Sequence, residues 1–473
     1  MNPNAITGPI LRDRREQLGL SQAKLAEVTG IPQQSLSAFE LGKIDLPASY
    51  MEIVLKALND NSSLNKVLYR KKRYRDHSYD QVPHDSARIA RCKKTQGNAE
   101  YLQLLEKLGQ QRNNRPADSK GLSAISLFSG CGGFSLGFEW AGFTVKGFLE
   151  IDPDLRSIYK ANFPKSLELG DDITKITSSS LSVLASEVGQ IDVLIGGPPC
   201  QGFSLSGKRK VDDPRNTLFR HYLRFMDALR PRVAIIENVR VLTSMRSPSG
   251  LFVKDEIQNE FATRAYRVAH FEINSKDFGL PQHRERVIFV AVRNDLQAQP
   301  SIPEITHGES KNLLGVRPYR TFADACSDLP YLESGEKSED HLHVAVSHPK
   351  HVIQWLWDVP EGHSAHENSD PNKRPPSGYN TTYKRQVWLE PASTIQTTFG
   401  MISGCRNVHP VSTRSLTIRE AARIQSFPDT FIFQGNLGTI RTCIGNAVPP
   451  LLAYLLAVHI RNDILNFIEV SGF

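Results

Sequence analysis

The chain has 473 residues, a hydrophobic content of 40% and a formal net charge of +7, which predicts two or three domains with real cores. Its six cysteines (Cys92, Cys131, Cys200, Cys326, Cys405, Cys443) show no close pairing; this argues against a disulfide framework and a metal site and for a reducing compartment. No signal-peptide core precedes Pro9, and no apolar run is expected to reach the roughly 18 residues of a membrane span. The basic excess is confined to the first quarter: residues 1–120 carry 20 Lys and Arg against 13 Asp and Glu, while the remainder carries 37 of each sign. Such an asymmetry predicts an anionic partner, nucleic acid before membrane.

Residues 8–60 read as a compact helical unit. Ile10, Leu11, Arg14 and Leu18 fall on one helix that stops at Gly19. Ser21 suits an N-cap, with Ala23, Leu25, Ala26 and Val28 following before a turn at Gly30. Pro32 opens the next helix, Leu36 and Phe39 face inward, and Gly42 ends it. The run from Leu20 to Gly42 resembles the helix-turn-helix of phage-repressor-type regulators. The resemblance implies that the second helix enters the major groove of double-stranded DNA. Gln33, Gln34, Ser35 and Ser37 would then face bases or phosphates, and the unit would act as a dimer on a two-fold promoter operator. The bland alternative is a small helical domain that only packs or dimerises.

Residues 61–120 are polar and basic. The run at 70–75, Arg-Lys-Lys-Arg-Tyr-Arg, is a candidate phosphate-binding arm or simply a solvated stretch. Residues 76–120 read as a basic linker, with a short helix between Tyr101 and Leu108.

From Ala124 the pattern becomes strand, glycine-rich turn, helix. Gly130, Gly132 and Gly133 let backbone approach a ligand. A second strand over 145–149 ends in Glu150 and Asp152, about 20 residues past the glycines, where an acid hydrogen-bonds a ribose. A dinucleotide and an adenosyl cofactor both fit that pattern. An acidic turn follows at Asp171 and Asp172. Ile191, Val193, Leu194 and Ile195 read as a buried strand stopped abruptly by Gly196-Gly-Pro-Pro199. Cys200 stands at the mouth of that turn, where an α/β sheet presents a nucleophile; alone, it reads equally as a small buried hydrophobe. Residues 233–239 form another strand carrying Glu237 and Asn238, and strands at 269–273 and 287–292 bracket Gln282-His-Arg-Glu-Arg286. This alternation predicts an α/β class with a doubly wound, mostly parallel sheet.

Residues 297–412 break the rhythm and read as a smaller loop-rich domain. A helix with an apolar stripe is expected over 414–428, and a last helix from Gly445-Asn-Ala-Val-Pro-Pro450 to about residue 468. The expected organisation is 1–75 helix-turn-helix, 76–120 linker, 121–296 first catalytic part, 297–412 insert and 413–473 catalytic completion.

Six motifs stand in one order: Phe128-Ser-Gly-Cys-Gly-Gly133, Gly197-Pro-Pro-Cys-Gln201, Glu237-Asn-Val239, Gln282-x-Arg284-x-Arg286, Arg419-Glu-x-Ala-Arg423 and Gly445-Asn-x-Val-Pro-Pro450. Together they closely resemble the cytosine-5 DNA methyltransferases of bacterial restriction–modification type, over about residues 122–470. The resemblance implies a methyltransferase sheet using S-adenosyl-L-methionine, a target-recognition domain in the insert, and a cytoplasmic, nucleoid-associated enzyme. It implies cofactor contacts from Phe128, Gly130, Gly132, Glu150, Asp172, Ile173, Pro199, Leu218, Asn446 and Val448. Simple packing is the rival reading for Leu218 and Val448.

The implied chemistry asks for these residue types. A Cys200 thiolate adding to C6 of cytosine makes C5 nucleophilic enough to take a methyl group. Glu237 would donate to N3 and accept from the exocyclic amine, so its site is expected to raise its pKa. Arg284 and Arg286 match positions that hold the base and phosphodiester, Arg286 near the cytosine O2. The base must be flipped out of the duplex. Gln201, Ser204 and Ser206 lie on the loop implied to close over DNA, and Thr394 with Ile395 in the core of the recognition domain. The rivals are a regulator whose methylase half has lost activity and an RNA cytosine methylase of related fold.

Overall fold

The structure, a computed structural model, describes residues 7–17, 20–59, 82, 84–114, 121–199, 218–247, 250–309 and 315–466. The chain divides into two compact units, one built on residues 1–80 and the other on the residues from 81 onward.

The first unit packs helices α1 (Gly8–Gln17), α2 (Gln22–Thr29), α3 (Gln33–Glu40) and α4 (Ala48–Asn59) around Leu11, Leu25, Leu36, Phe39, Met51 and Val54. Leu36 and Phe39 face inward as expected. On α1 the buried face is Leu11 and Arg15, whereas Ile10 and Arg14 are exposed. The difference lies in a partner distant in sequence. Glu40 meets the Arg15 guanidinium at 2.6 and 2.9 Å, and Arg15 also donates to the Leu20 carbonyl, so the buried charge is satisfied. Gln33 and Gln34 are exposed on the first turn of α3, and Ser35 and Ser37 are half-buried.

The second unit is organised by a seven-stranded sheet. Its strands are β1 (Ser123–Leu127), β2 (Thr144–Leu149), β3 (Leu167–Glu168), β4 (Val193–Gly196), β5 (Val233–Val239), β6 (Tyr266–Asn274) and, after the short β7 (Gln282–His283) outside the sheet, β8 (Glu285–Arg293). Their order is β3-β2-β1-β4-β5-β8-β6, all parallel except β8, which runs antiparallel to β5 and β6. This is the doubly wound, mostly parallel sheet the alternation predicts. The order reverses between β1 and β4, and a ligand crevice belongs at such a switch point.

Both faces of the sheet are buried, and period-two alternation sorts its side chains into two cores. Val193 and Ile195, Val233 and Ile235, and Ile288 and Val290 enter one core; Leu194, Ala234, Ile236, Val287 and Phe289 enter the other. The first core also holds the segment expected to be a linker. Residues 86–113 form helices α5 (Ser86–Ile89) and α6 (Gln96–Asn113), and Tyr101, Leu105 and Leu108 of α6 are buried there. The linker reading fails because it weighed net polarity, whereas three apolar side chains at helical spacing suffice to dock a helix.

The first core continues through α7 (Gly133–Trp140), α8 (Pro153–Asn162) and short elements of the insert. The second is covered by α9 (Ser178–Val188), α10 (Leu218–Leu229) and α11 (Val253–Ala262). The insert is loop-rich as expected, with α12 (Phe322–Cys326), α13 (Lys350–Leu356) and the two-residue strands β9 (His307–Gly308), β10 (Arg317–Pro318) and β11 (Ala392–Ser393). Among the described residues it shows no separate core: Phe322, Leu342, Trp388, Ile395 and Phe399 join the sheet's own hydrophobic cluster.

Helix α14 (Ile418–Ile424) is buried on every side, charges included, and so differs from the expected amphipathic helix. Glu420 is gripped by both Arg414 terminal nitrogens at 2.7 and 2.9 Å and also accepts from the Thr417 amide, which holds its carboxyl well below the usual range. Helices α15 (Leu437–Asn446) and α16 (Pro450–His459) complete the unit. Against expectation, the stretch Leu437–Ile464 is long and apolar enough to cross a membrane; most of it is buried inside this unit.

Candidate active site

The C-terminal ends of β1, β4 and β5 and the junction between α15 and α16 enclose a cleft of about 370 Å3. The strand ends deliver its residues because each strand is buried up to its last positions and then stops. Gly130, at φ +55°, and Gly132, at φ +98°, turn the chain from β1 into α7, and both values favour glycine. Phe128 carries a φ of +54°, a strained value for a side-chain-bearing residue, and lines the cleft.

Glu150, one residue past β2, clamps this turn. It accepts from the Gly130 amide at 2.8 Å and from the Asp152 amide at 3.0 Å, and its burial raises its carboxyl above the ordinary value. The same cleft gathers Pro199, Asn446 and Val448. Gly132 closes the turn by donating to the Ser129 carbonyl at 3.0 Å.

Four expected cofactor residues do not line the cleft: Gly132, which shapes the turn beside it, and Asp172, Ile173 and Leu218. Asp172 accepts from the amide and hydroxyl of Thr174 at 2.9 and 2.7 Å, stabilising its own turn. Ile173 is buried in the second core, and Leu218 packs against that core. For Leu218 packing is the reading the geometry favours. Val448 is nearly buried and still contributes to the wall.

The catalytic candidates stand on the opposite wall. Alternation along β5 puts Glu237 on the face of Val233 and Ile235, and along β8 it puts Arg286 on the face of Ile288 and Val290. Their side chains meet diagonally, Arg286 Nε lying 2.8 Å from Glu237 Oε1. Arg286 also donates to the Glu285 carbonyl at 2.7 Å.

Arg284 does not match its expected role. Its guanidinium is 1% exposed and donates to the carbonyls of Ile395, Gly445 and Ala447 at 3.1 to 3.3 Å. With both terminal nitrogens spent on backbone and only Nε left without a hydrogen-bond partner among the described residues, it borders the cleft and ties the insert to the α15–α16 junction.

Asn238, quoted within a motif but given no role from sequence, donates to the Pro198 carbonyl at 2.9 Å and so fixes the loop that leads to Cys200. Gln282 likewise had no assigned role. It accepts from the Ile395 amide at 3.0 Å and donates to Gln425 at 2.8 Å. Thr394 is half-buried just past the end of β11, where its hydroxyl donates to the His283 carbonyl at 2.8 Å. It lines a second cleft of about 740 Å3 that also carries Lys276, Lys384 and Arg406. Cys200, Gln201, Ser204 and Ser206, like the basic run at 70–75, lie outside the described residues.

Residues 122–462 match the C-5 cytosine-specific DNA methylases, and residues 11–60 match a helix-turn-helix family. The chain is 36% identical over 380 residues to the type II methyltransferase M.DdeI of Desulfomicrobium norvegicum, covering 72% of this chain and 88% of that protein. It is also 36% identical over 340 residues to M1.HphI of Haemophilus parahaemolyticus, covering 71% and 86%. Among solved structures, a prophage-encoded DNA modification methyltransferase of E. coli superposes with a TM-score of 0.58 at 26% identity, covering 73% of this chain and 99% of that one. The chain belongs to the C-5 cytosine-specific DNA methylases, enzymes that methylate cytosine in DNA at C5.

Proposed function

We propose that this chain methylates C5 of a cytosine flipped out of a short duplex site, through a covalent bond between Cys200 and C6, with S-adenosyl-L-methionine as donor. The observation that carries the reading is the Glu237–Arg286 pair at 2.8 Å. It lines the same cleft as the Glu150-clamped turn and residues 197–199, which precede Cys200 in the chain.

The cleft fits the donor. Its glycine turn offers backbone at close range, Glu150 keeps carboxylate lone pairs for a ribose, and Phe128 and Val448 offer apolar surface to an adenosyl group. Gly130, Gly132, Pro199 and Asn446 would complete the hold. When bound, S-adenosyl-L-methionine supplies an electrophilic methyl group.

The chain's own residues act on the base. Cys200 Sγ adds to C6, and electron density moves toward C5 and N3. Glu237 meets N3 and the exocyclic amine, where charge develops, and Arg286 holds O2. Once C5 carries the methyl group, its proton passes to water, the C5–H electrons restore the C5–C6 double bond, and the C6–S bond breaks to release the Cys200 thiolate. Arg284 and Asn238 keep the two walls in register.

The insert at 297–412 would read the flanking bases, with Thr394 on its inner edge, and Gln201, Ser204 and Ser206 would close over the flipped base. The relatives named as type II methyltransferases support a restriction–modification setting. The first unit supports a second role: Gln33 and Gln34 are exposed at the start of α3, as a recognition helix requires, with Ser35 and Ser37 beside them. As a dimer on an inverted repeat, it would repress the chain's own promoter.

Two assays test these readings. Transfer of labelled methyl groups should occur onto duplex DNA and not onto tRNA; the reverse would make the chain an RNA methylase. Deleting residues 1–75 should leave methylation largely intact and raise output from a reporter on the native promoter. Equal output with full-length and truncated protein would remove the regulatory role.

A further inference from the structure

We propose that Arg112 is a positioning residue for the methyl-donor turn, at one end of a strap, residues 84–114, whose other end grips the insert. The inference rests on the donor-site reading above. The strap lies outside both matched family regions, 11–60 and 122–462.

Arg112 stands in the last turn of α6, half-buried. It forms an ion pair with Glu139 of α7, donates to the carbonyl of Asn162 at the end of α8, and lies 4.7 Å over the ring of Phe163. Phe163 in turn backs the glycine turn. A Cβ placed on Gly132 would stand 2.3 Å from the Phe163 ring, so the ring fills the space directly behind the turn. One planar guanidinium thus reaches a carboxylate, a carbonyl and a ring together, and fixes the two helices that flank the donor turn. An ammonium cannot reproduce that fork.

Beyond the apolar side chains that enter the first core, the strap makes polar contacts with the insert, with Thr413 just past it and with α14. Arg88 donates to the Val411 carbonyl at 2.7 Å and to the Thr413 hydroxyl at 3.1 Å, and lies 4.3 Å over the Trp357 ring. Thr95 donates to Asp324 at 2.7 Å, Asn98 to Asp328 at 2.8 Å, and Tyr101 to the Arg423 carbonyl at 2.8 Å. A ligand held by backbone is sensitive to displacements of about 0.5 Å in that backbone. Loss of the Arg112 contacts therefore acts on donor affinity and leaves base chemistry in place.

The test is calorimetric binding of S-adenosylhomocysteine to the full-length chain, with steady-state kinetics on duplex DNA. Arg112→Ala should weaken binding and raise the donor KM about three- to tenfold. kcat at saturating donor should stay within about twofold, and the KM for duplex should not move. Phe163→Leu should act in the same direction, and the double variant should lose less than the product of the two effects. Arg88→Ala, which releases the far end of the strap, should leave S-adenosylhomocysteine binding unchanged. If Arg112→Ala fails to fold, Arg112→Lys carries the same test with a smaller loss. Unchanged binding in the Arg112 and Phe163 variants would overturn the proposal, as would equal weakening by Arg88→Ala, which would mark the strap as general stabilisation. Failure of the wild-type chain itself to bind S-adenosylhomocysteine would overturn the donor-site reading, and this inference with it.

Discussion

Glu237 and Arg286 meet at 2.8 Å although they sit on antiparallel strands and are not direct cross-strand partners: Glu237 pairs with Ile288, and Arg286 with Val239. The diagonal contact exists because both residues occupy the same face of the sheet. A one-residue slip in register would send one of them into the opposite core. In the proposed mechanism this pair would meet N3, the exocyclic amine and O2 of a flipped cytosine.

Glu237→Gln should reduce methyl transfer by roughly 10²–10⁴-fold while duplex binding is largely kept. The amide still donates a hydrogen bond but cannot transfer a proton. Single-turnover rates with preformed complex check this, and an unchanged rate would leave Glu237 a structural role only.

Arg284 and Arg286 should separate by readout despite their spacing in one motif. Arg284→Met removes the partner of three backbone carbonyls and should cost about 2–4 kcal/mol in urea unfolding. Arg286→Ala should cost little stability and most of the rate. A stable Arg284→Met enzyme with a lost rate would restore the direct contact expected from the motif.

The contrast shows what the sequence makes legible. The sheet was readable because its strands are continuous apolar runs ending in Gly, Pro or acid, a local signal. The cleft residues Gly130, Glu150 and Glu237 followed from the same strand ends, and Phe128 from the family resemblance. Other features depend on partners far away in the chain. Arg15 is buried because Glu40 lies beside it, α14 buries its charges against Arg414, Asp328 and Asp340, and Arg284 is sequestered by carbonyls from 395 to 447. Asp172 and Ile173 were placed at the cofactor by motif order, and order does not report which way a turn faces.

Donor affinity should depend on pH through Glu150. Its carboxyl is raised above the ordinary 4.5 by burial, partly offset by the amides of Asp152 and Gly130. Ribose hydroxyls donate to the ionised form, so S-adenosylhomocysteine binding should strengthen as pH rises through that raised value. The stability effect has the opposite sign. A raised folded pKa means that this group's contribution is fully present below 4.5 and is lost as pH rises through the folded value. Titrations of binding from about pH 5 to 8 should show a slope in wild type that vanishes in Glu150→Gln; equal slopes in both would assign the dependence elsewhere.

The central claim, a Cys200 thiolate that enables methylation of cytosine in a specific duplex site, is tested most directly by bisulfite sequencing of plasmid from cells expressing wild-type or Cys200→Ser protein. Serine is a far weaker nucleophile than cysteine at neutral pH. Protected cytosines are expected within one short recurring sequence for wild type and none for Cys200→Ser; protection that persists at the same sites in the variant would overturn the role of Cys200.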